Sequence, residues 1–190
     1  MSTHPNLLDT EHSLLVVIDV QSKLLAAMPE KSAELLLANT GILVEAAGRL
    51  KSPLLLTEQY SKGLGVTDTA IIQKLPVTFQ VFDKTSFSCC AASGFMDALA
   101  FSRRKQIVLV GLEAHVCFLQ TALELLQLGY HVQVVEDALC SRFAEHKHYA
   151  LQRMQQQGVT ITNHESVLFE WLKNSAHLEF KPISSLLRKS

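Results

Sequence analysis

Six short apolar runs divide this chain, and most are followed by a stretch whose apolar residues recur at helical spacing. Leu14 to Asp19, Pro53 to Thr57, Thr78 to Phe82, Gln106 to Leu112, Val132 to Glu136 and Val159 to Thr162 read as strands. Glu30 to Leu50, Thr67 to Lys74, Gly94 to Arg104, His115 to Leu128, Phe143 to Gln157 and Glu165 to Lys173 read as helices. Thr67 is the expected N-cap of the second of these. Gly129 and Gly158 stand where two of the helices should close. Strands that alternate with helices pair in parallel through right-handed crossovers, with helices covering both faces. The expected fold is therefore α/β and three-layered, a mostly parallel six-stranded sheet between two helical layers. In such sheets, sites form beyond the carboxyl ends of the strands.

At 190 residues, with 48% hydrophobic and 18% charged residues, the chain suits one folded domain over residues 1–190. A net charge of −1 and no concentrated run of Lys or Arg speak against a nucleic-acid partner. The apolar runs are too short for a membrane span. No basic segment followed by an apolar run opens the sequence, so no export signal is expected. Cys89, Cys90, Cys117 and Cys140 then read as reduced thiols of a cytoplasmic protein. They form no Cys-x-x-Cys pair. The eight histidines form no His-x-x-x-His or Asp-x-His pair, so no metal and no cofactor is expected.

Three reactive groups fall near expected strand ends. Asp19 closes the run Leu15-Val16-Val17-Ile18, where a carboxylate needs a partner. It reads either as a general base or as a structural cap. Lys84, in Asp83-Lys84-Thr85, would be an ordinary solvated lysine unless it holds a thiolate and a carboxylate together. Cys117 lies in the first turn of an expected helix, where unpaired N–H groups and the helix dipole favour an anion. Taken alone, it is equally a small buried hydrophobe. Cys89 and Cys90 read as packing at a helix start, and Cys140 as a loop thiol without a base.

Three segments together resemble the isochorismatase-like cysteine hydrolase superfamily, a Rossmann-like group that includes nicotinamidases and carbamoylsarcosine amidohydrolases. They are Leu15-Val16-Val17-Ile18-Asp19-Val20-Gln21, Lys84-Thr85-Ser86-Phe87-Ser88 and Gly111-Leu112-Glu113-Ala114-His115-Val116-Cys117. The resemblance implies Cys117 as a nucleophile that forms a thioester, Asp19 as the base and Lys84 as their electrostatic partner. It further implies a cis peptide between Leu112 and Glu113 and an oxyanion hole made by the N–H groups of Glu113 and Cys117. Nicotinamidases carry an Asp-x-His metal motif where this chain has Thr57-Glu58-Gln59-Tyr60-Ser61-Lys62-Gly63-Leu64-Gly65. The stretch resembles the metal-free branch instead.

Gln21, Tyr60, Phe87 and His115 flank these segments and are the expected pocket residues. The expected partner is a small-molecule substrate with an amide or related carbonyl. The competing reading is a non-catalytic or redox-responsive scaffold. The resemblance also implies a homo-oligomer; Val167-Leu168-Phe169-Glu170-Trp171-Leu172 reads either as an apolar contact surface for it or, more plainly, as core packing.

Overall fold

Each apolar run becomes a strand, and successive residues of the first strand serve two different cores. The computed structural model describes residues 4–77 and 79–188. In chain order the elements are β1 (Ser13–Ile18), α1 (Ser22–Leu25), α2 (Glu30–Arg49), β2 (Leu54–Gln59), α3 (Ser61–Leu64), α4 (Thr69–Ile72) and β3 (Gln80–Lys84). A 3₁₀ turn (Cys89–Ala91) follows, then α5 (Phe95–Ser102), β4 (Gln106–Gly111) and a π-helical turn (Ala114–Phe118). The chain continues through α6 (Leu119–Gln127), β5 (His131–Leu139), α7 (Ala144–Gln156), β6 (Thr160–Thr162), α8 (His164–Leu172) and α9 (Phe180–Leu186).

The strands form one six-stranded sheet in the order β3-β2-β1-β4-β5-β6, and every pairing is parallel. All six residues of β1 are buried, as a central parallel strand covered on both sides requires. Leu15 and Val17 pack with Leu43, Val167 and Trp171 on the face covered by α2 and α8. Leu14, Val16 and Ile18 pack with Phe95, Phe118 and Met154 on the face covered by α5, α6 and α7. The strand order reverses between β1 and β4, which makes the carboxyl ends of these two strands the topological switch point. No helix among the described residues is long and apolar enough to cross a membrane.

Several expectations shift by a few residues. The third strand runs over Gln80–Lys84 rather than 78–82, so Lys84 ends the strand instead of following it. Thr78, the expected first residue, lies outside the described residues. The cap of α4 is Asp68, whose side chain accepts from the Ala70 N–H at 2.9 Å. Thr67 instead donates both its N–H and its hydroxyl to Glu58. The expected contact surface in α8 is core: Val167, Leu168, Trp171 and Leu172 are at most 2% exposed. Their i, i+1, i+4, i+5 spacing forms one stripe turned toward the sheet.

Gly111 sets the exit from β4. Its φ of +127° is a conformation that residues with a side chain rarely adopt, and a Cβ there would run into the backbone carbonyl of Ile18. Beyond it, the Leu112 N–H donates to the Ile18 carbonyl at 2.8 Å and the Ala114 N–H to the Cys140 carbonyl at 3.1 Å. No cis peptide occurs among the described residues, so the expected cis bond between Leu112 and Glu113 is corrected to trans. The sharp turn is made at the glycine. Gly111→Ala should lower stability by about 2–4 kcal/mol, read as the shift in the urea midpoint. An unchanged midpoint would mean that the turn tolerates a side chain.

Candidate active site

β1, β2 and β3 end side by side, with Ile18 opposite Thr57 and Gln59 opposite Lys84. Side chains two apart on a strand share a face, so Thr57 and Gln59 project together beside Asp19 and Lys84. Asp19 follows β1 in the left-handed region, with φ +52°. Its N–H donates to the Thr57 carbonyl at 3.1 Å, and its carbonyl accepts from the Gln21 N–H at 2.8 Å. The Asp19 carboxylate accepts from the Thr57 hydroxyl on one oxygen and from the Lys84 ammonium on the other, both at 2.7 Å. Neither side chain of this ion pair is exposed to solvent.

Lys84 also donates to Gln59 Oε1 at 2.6 Å and reaches the carbonyls of Phe87 at 3.1 Å and Ser86 at 3.3 Å. Burial by itself would lower the Lys84 pKa. Together with the charge that the Cys89 and Cys117 sulfurs carry once ionised, the Asp19 carboxylate outweighs burial through its charge and its hydrogen bond, and the pKa is raised above 10.5.

Cys117 lies in the π-helical turn and is 7% exposed. Its Sγ is 3.9 Å from Gln59 Oε1, the same oxygen that accepts from Lys84. The Thr121 hydroxyl donates to the Cys117 carbonyl at 2.7 Å and accepts from the Cys89 N–H at 2.9 Å. Cys89, read from sequence as mere packing, is thereby brought to the cluster, and its sulfur lies 3.6 Å from the Thr57 hydroxyl.

Burial pushes the Cys117 thiol up to about 12. The Asp19 carboxylate adds to the shift through its charge and its hydrogen bond, and Lys84 opposes it. A thiol so placed is held in its protonated form by burial and by Asp19. Burial also raises Cys89 and Cys140 to about 12 and Cys90 to about 11. Acidity does not single out Cys117; its neighbours do.

Gln59 went unremarked in the sequence, yet it joins the lysine to the thiol. Its Nε2 donates to the Thr85 carbonyl at 3.0 Å, which fixes the amide so that Oε1 faces Lys84 and Cys117. The available signal was its place one strand period after Thr57, at the end of β2.

The four expected pocket residues occupy different environments. Gln21 is fully buried. Its amide accepts from the Gln59 N–H at 2.7 Å and donates to the carbonyls of Gln59 and Gly65, clamping the end of β2 to the following loop. Tyr60 and Phe87 are each 53% exposed, beside Gln59 and Lys84 in the chain. His115 turns toward α7, where its Nδ1 lies 3.1 Å from the Ser141 hydroxyl and its ring 4.5 Å from that of His146. It lines a cavity of about 230 Å³ with Leu119, Tyr149 and Arg153. Burial lowers its pKa, with the Glu113 carboxylate opposing. The Glu113 side chain pairs with Arg142 at 3.0 Å. Among the described residues, no group of three or more His, Cys, Asp or Glu is placed to hold a metal ion. In the stretch Thr57 to Gly65, Glu58 is taken by Thr67 and Gln59 by Lys84.

A doubly wound parallel α/β sheet thus brings a thiol, an ammonium and a carboxylate together beside its switch point. Residues 13–166 match the model of the isochorismatase domain, and the chain belongs to the isochorismatase family. Isochorismatase family protein 1B of Dictyostelium discoideum is 32% identical over 183 residues, covering 94% of this chain and 87% of its own. The secreted isochorismatase effector Isc1 of Phytophthora sojae is 38% identical over 153 residues, covering 79% and 73%. Among solved structures, the MAR1 ribonuclease of Caenorhabditis elegans superposes with a TM-score of 0.90 at 36% identity, covering 96% of this chain and 93% of that one.

Three predictions test the geometry. Asp19→Asn or Lys84→Met alone leaves a buried group unpaired and should cost about 3–5 kcal/mol, whereas the double substitution should recover much of the loss. Because the folded pKa of Lys84 is raised, its contribution is complete below pH 10.5 and is lost as pH rises through the folded value. The stability difference between the wild type and Lys84→Met, measured by denaturation, should thus stay flat through neutral pH and shrink only in strong base. Iodoacetamide modification of Cys117, followed by peptide mass mapping, should accelerate about tenfold per pH unit with no plateau near neutrality. A plateau below pH 9 would show that the thiol is acidic after all.

Proposed function

We propose that this chain is a cysteine hydrolase acting on a small amide or related carbonyl compound. Cys117 is the nucleophile, Asp19 the base and Lys84 their electrostatic partner. The observation that carries this reading is the shared Gln59 oxygen, 2.6 Å from the Lys84 ammonium and 3.9 Å from the Cys117 sulfur, while the ammonium also holds Asp19. A nucleophile, a charged orienting group and a base are thus in reach of one another in a nearly dry site.

In the proposed reaction the Cys117 S–H proton passes to Asp19 as sulfur bonds to the carbonyl carbon. The C–N bond then breaks, and the departing amine takes the proton from Asp19, leaving a thioester on Cys117. Water attacks the thioester with Asp19 again as base. The C–S bond breaks, the acid leaves and the thiol is restored. The backbone N–H groups of Glu113 and Cys117, in the turn that follows β4, are the proposed oxyanion donors, since the first N–H groups of a helical segment lack intrahelical partners. Lys84 stays protonated throughout, in line with its raised pKa.

Tyr60 and Phe87, both exposed next to Gln59 and Lys84, are proposed to wall the approach, with Gln21 and His115 supporting the loops behind them. The same reading takes residues 1–190 as one catalytic domain needing no cofactor. It places the protein in a reducing compartment such as the cytoplasm, consistent with four free cysteines.

The test is a screen of small amides for ammonia release. Turnover should fall at least a thousandfold in Cys117→Ala, and Asp19→Asn should abolish the acyl adduct that mass spectrometry detects on Cys117. A scaffold would release no ammonia from any amide. Cleavage of RNA that is lost in Cys117→Ala, with no amide turned over, would replace the amide reading with a phosphodiester one.

A further inference from the structure

The turn that carries Cys117 also helps to line a second, unrelated cavity. His146, Tyr149, Ala150 and Arg153 follow the i, i+3, i+4, i+7 spacing of one stripe on α7. With His115 and Leu119 they enclose the space of about 230 Å³. Ala150 is the buried member of the stripe, and its small side chain leaves the room. The His146 ring is held between neighbours, 4.5 Å from the His115 ring and 5.0 Å from that of Phe143. Among the described residues, no hydrogen bond or ion pair engages the His146 nitrogens, the Tyr149 hydroxyl or the Arg153 guanidinium. His115 spends Nδ1 on the Ser141 hydroxyl at 3.1 Å, which leaves its Nε2.

The charges around this cavity are one-sided. No Asp or Glu lines it among the described residues. The carboxylate beside it, Glu113, lies 3.6 Å from His115 Nδ1 and is held by Arg142 at 3.0 Å. Burial lowers the His115 pKa; Glu113 opposes that, while His146 and Arg142 add to the lowering by repulsion. Basic groups crowded in this way gain from an anion, which turns mutual repulsion into shared attraction. Size and donor pattern choose the anion. Pockets for drug-sized ligands begin at about 300 Å³, so this one admits a single small group. A planar carboxylate is matched by the arginine fork alone, whereas a phosphoryl group offers three oxygens in different directions. Imidazole, phenol and guanidinium donors from a turn and a helix suit the second. Arg153 also borders a neighbouring groove of about 570 Å³ with Gln127, Gln156 and Gln157, whose amides suit hydroxyl groups.

We propose that the cavity between the Cys117 turn and α7 binds the phosphoryl group of a small phosphate compound. The Arg153 fork takes two of its oxygens, and His115 Nε2, His146 and the Tyr149 hydroxyl supply the other donors. In a phosphate monoester the hydroxylated body lies along the glutamine-lined groove on the far side of Arg153. The site is separate from the cluster of Asp19, Lys84 and Cys117, and it stands whatever reaction that cluster performs.

The test is titration calorimetry of the full chain with inorganic phosphate, glucose 6-phosphate, glucose and acetate at constant ionic strength. Phosphate should bind saturably at a single site. Arg153→Gln and His146→Gln, both at exposed positions, should each weaken that binding by about tenfold or more, because each removes a donor to an anion. Their melting temperatures without ligand should match the wild type. Lys31→Gln, an exposed charge at the start of α2, should leave the affinity unchanged. Glucose 6-phosphate binding more tightly than phosphate, with glucose alone not binding, identifies a monoester as the ligand; equal affinities identify the free ion. Three results overturn the proposal: no saturable phosphate binding, acetate held as tightly as phosphate, or the same loss in all three variants.

Discussion

Two opposite charges, 2.7 Å apart and both closed off from water, organise one end of this molecule. Each would be costly to bury alone, so everything around them is arranged to supply partners. β1 must end one residue before Asp19 and turn through a left-handed conformation. β2 contributes Thr57 to the carboxylate and Gln59 to the ammonium. The loop after β3 curls so that the carbonyls of Ser86 and Phe87 face the same ammonium. Three strand ends and a loop thus depend on a single ion pair. Stability alone does not explain keeping such a pair, because apolar side chains of similar volume often serve a core equally well or better. Its place at the topological switch point, next to a thiol, gives it a chemical reason to persist.

How far the sequence could be read follows from which physical signals are local. Strand–helix alternation is local, and it led to six strands in the right order along the chain with helices on both faces. Asp19, Lys84 and Cys117 were legible because each carries a reactive group close to such an element's end. The end of β3 was misplaced by two residues: its pattern of exposure, with Gln80, Val81 and Asp83 all open, offers no clean alternation. The π-helical turn around Cys117 was read as ordinary helix, because the i, i+5 bonding that defines it leaves no mark in composition. Gln59 was passed over since a glutamine at a strand end carries no chemical signal until Lys84 and Cys117 are seen beside it. The apolar stretch in α8 reads from sequence either as a contact surface or as core, and its helical stripe decides for core. Val167, Leu168, Trp171 and Leu172 are core, while Phe169 between them turns outward.

Charge balance explains why the thiol stays protonated and yet remains usable. Asp19 and Lys84 cancel, and Gln59 is neutral, so with a thiol the cluster carries no net charge. Removing the thiol proton to solvent would leave one uncompensated negative charge in a dry site, which is why burial and Asp19 together hold the Cys117 pKa near 12. Passing the same proton to Asp19 changes no net charge. In the proposed reaction the anion would move from oxygen to sulfur while Lys84, still within reach of Asp19 and Gln59, would compensate it in either place. A glutamate at position 59 would break this balance by placing a second carboxylate on the lysine, making negative sulfur costlier still. The neutral amide is therefore a requirement of the arrangement. Under the proposed mechanism it would let a site with no net charge move one proton internally at a pH where the buried thiol hardly ionises.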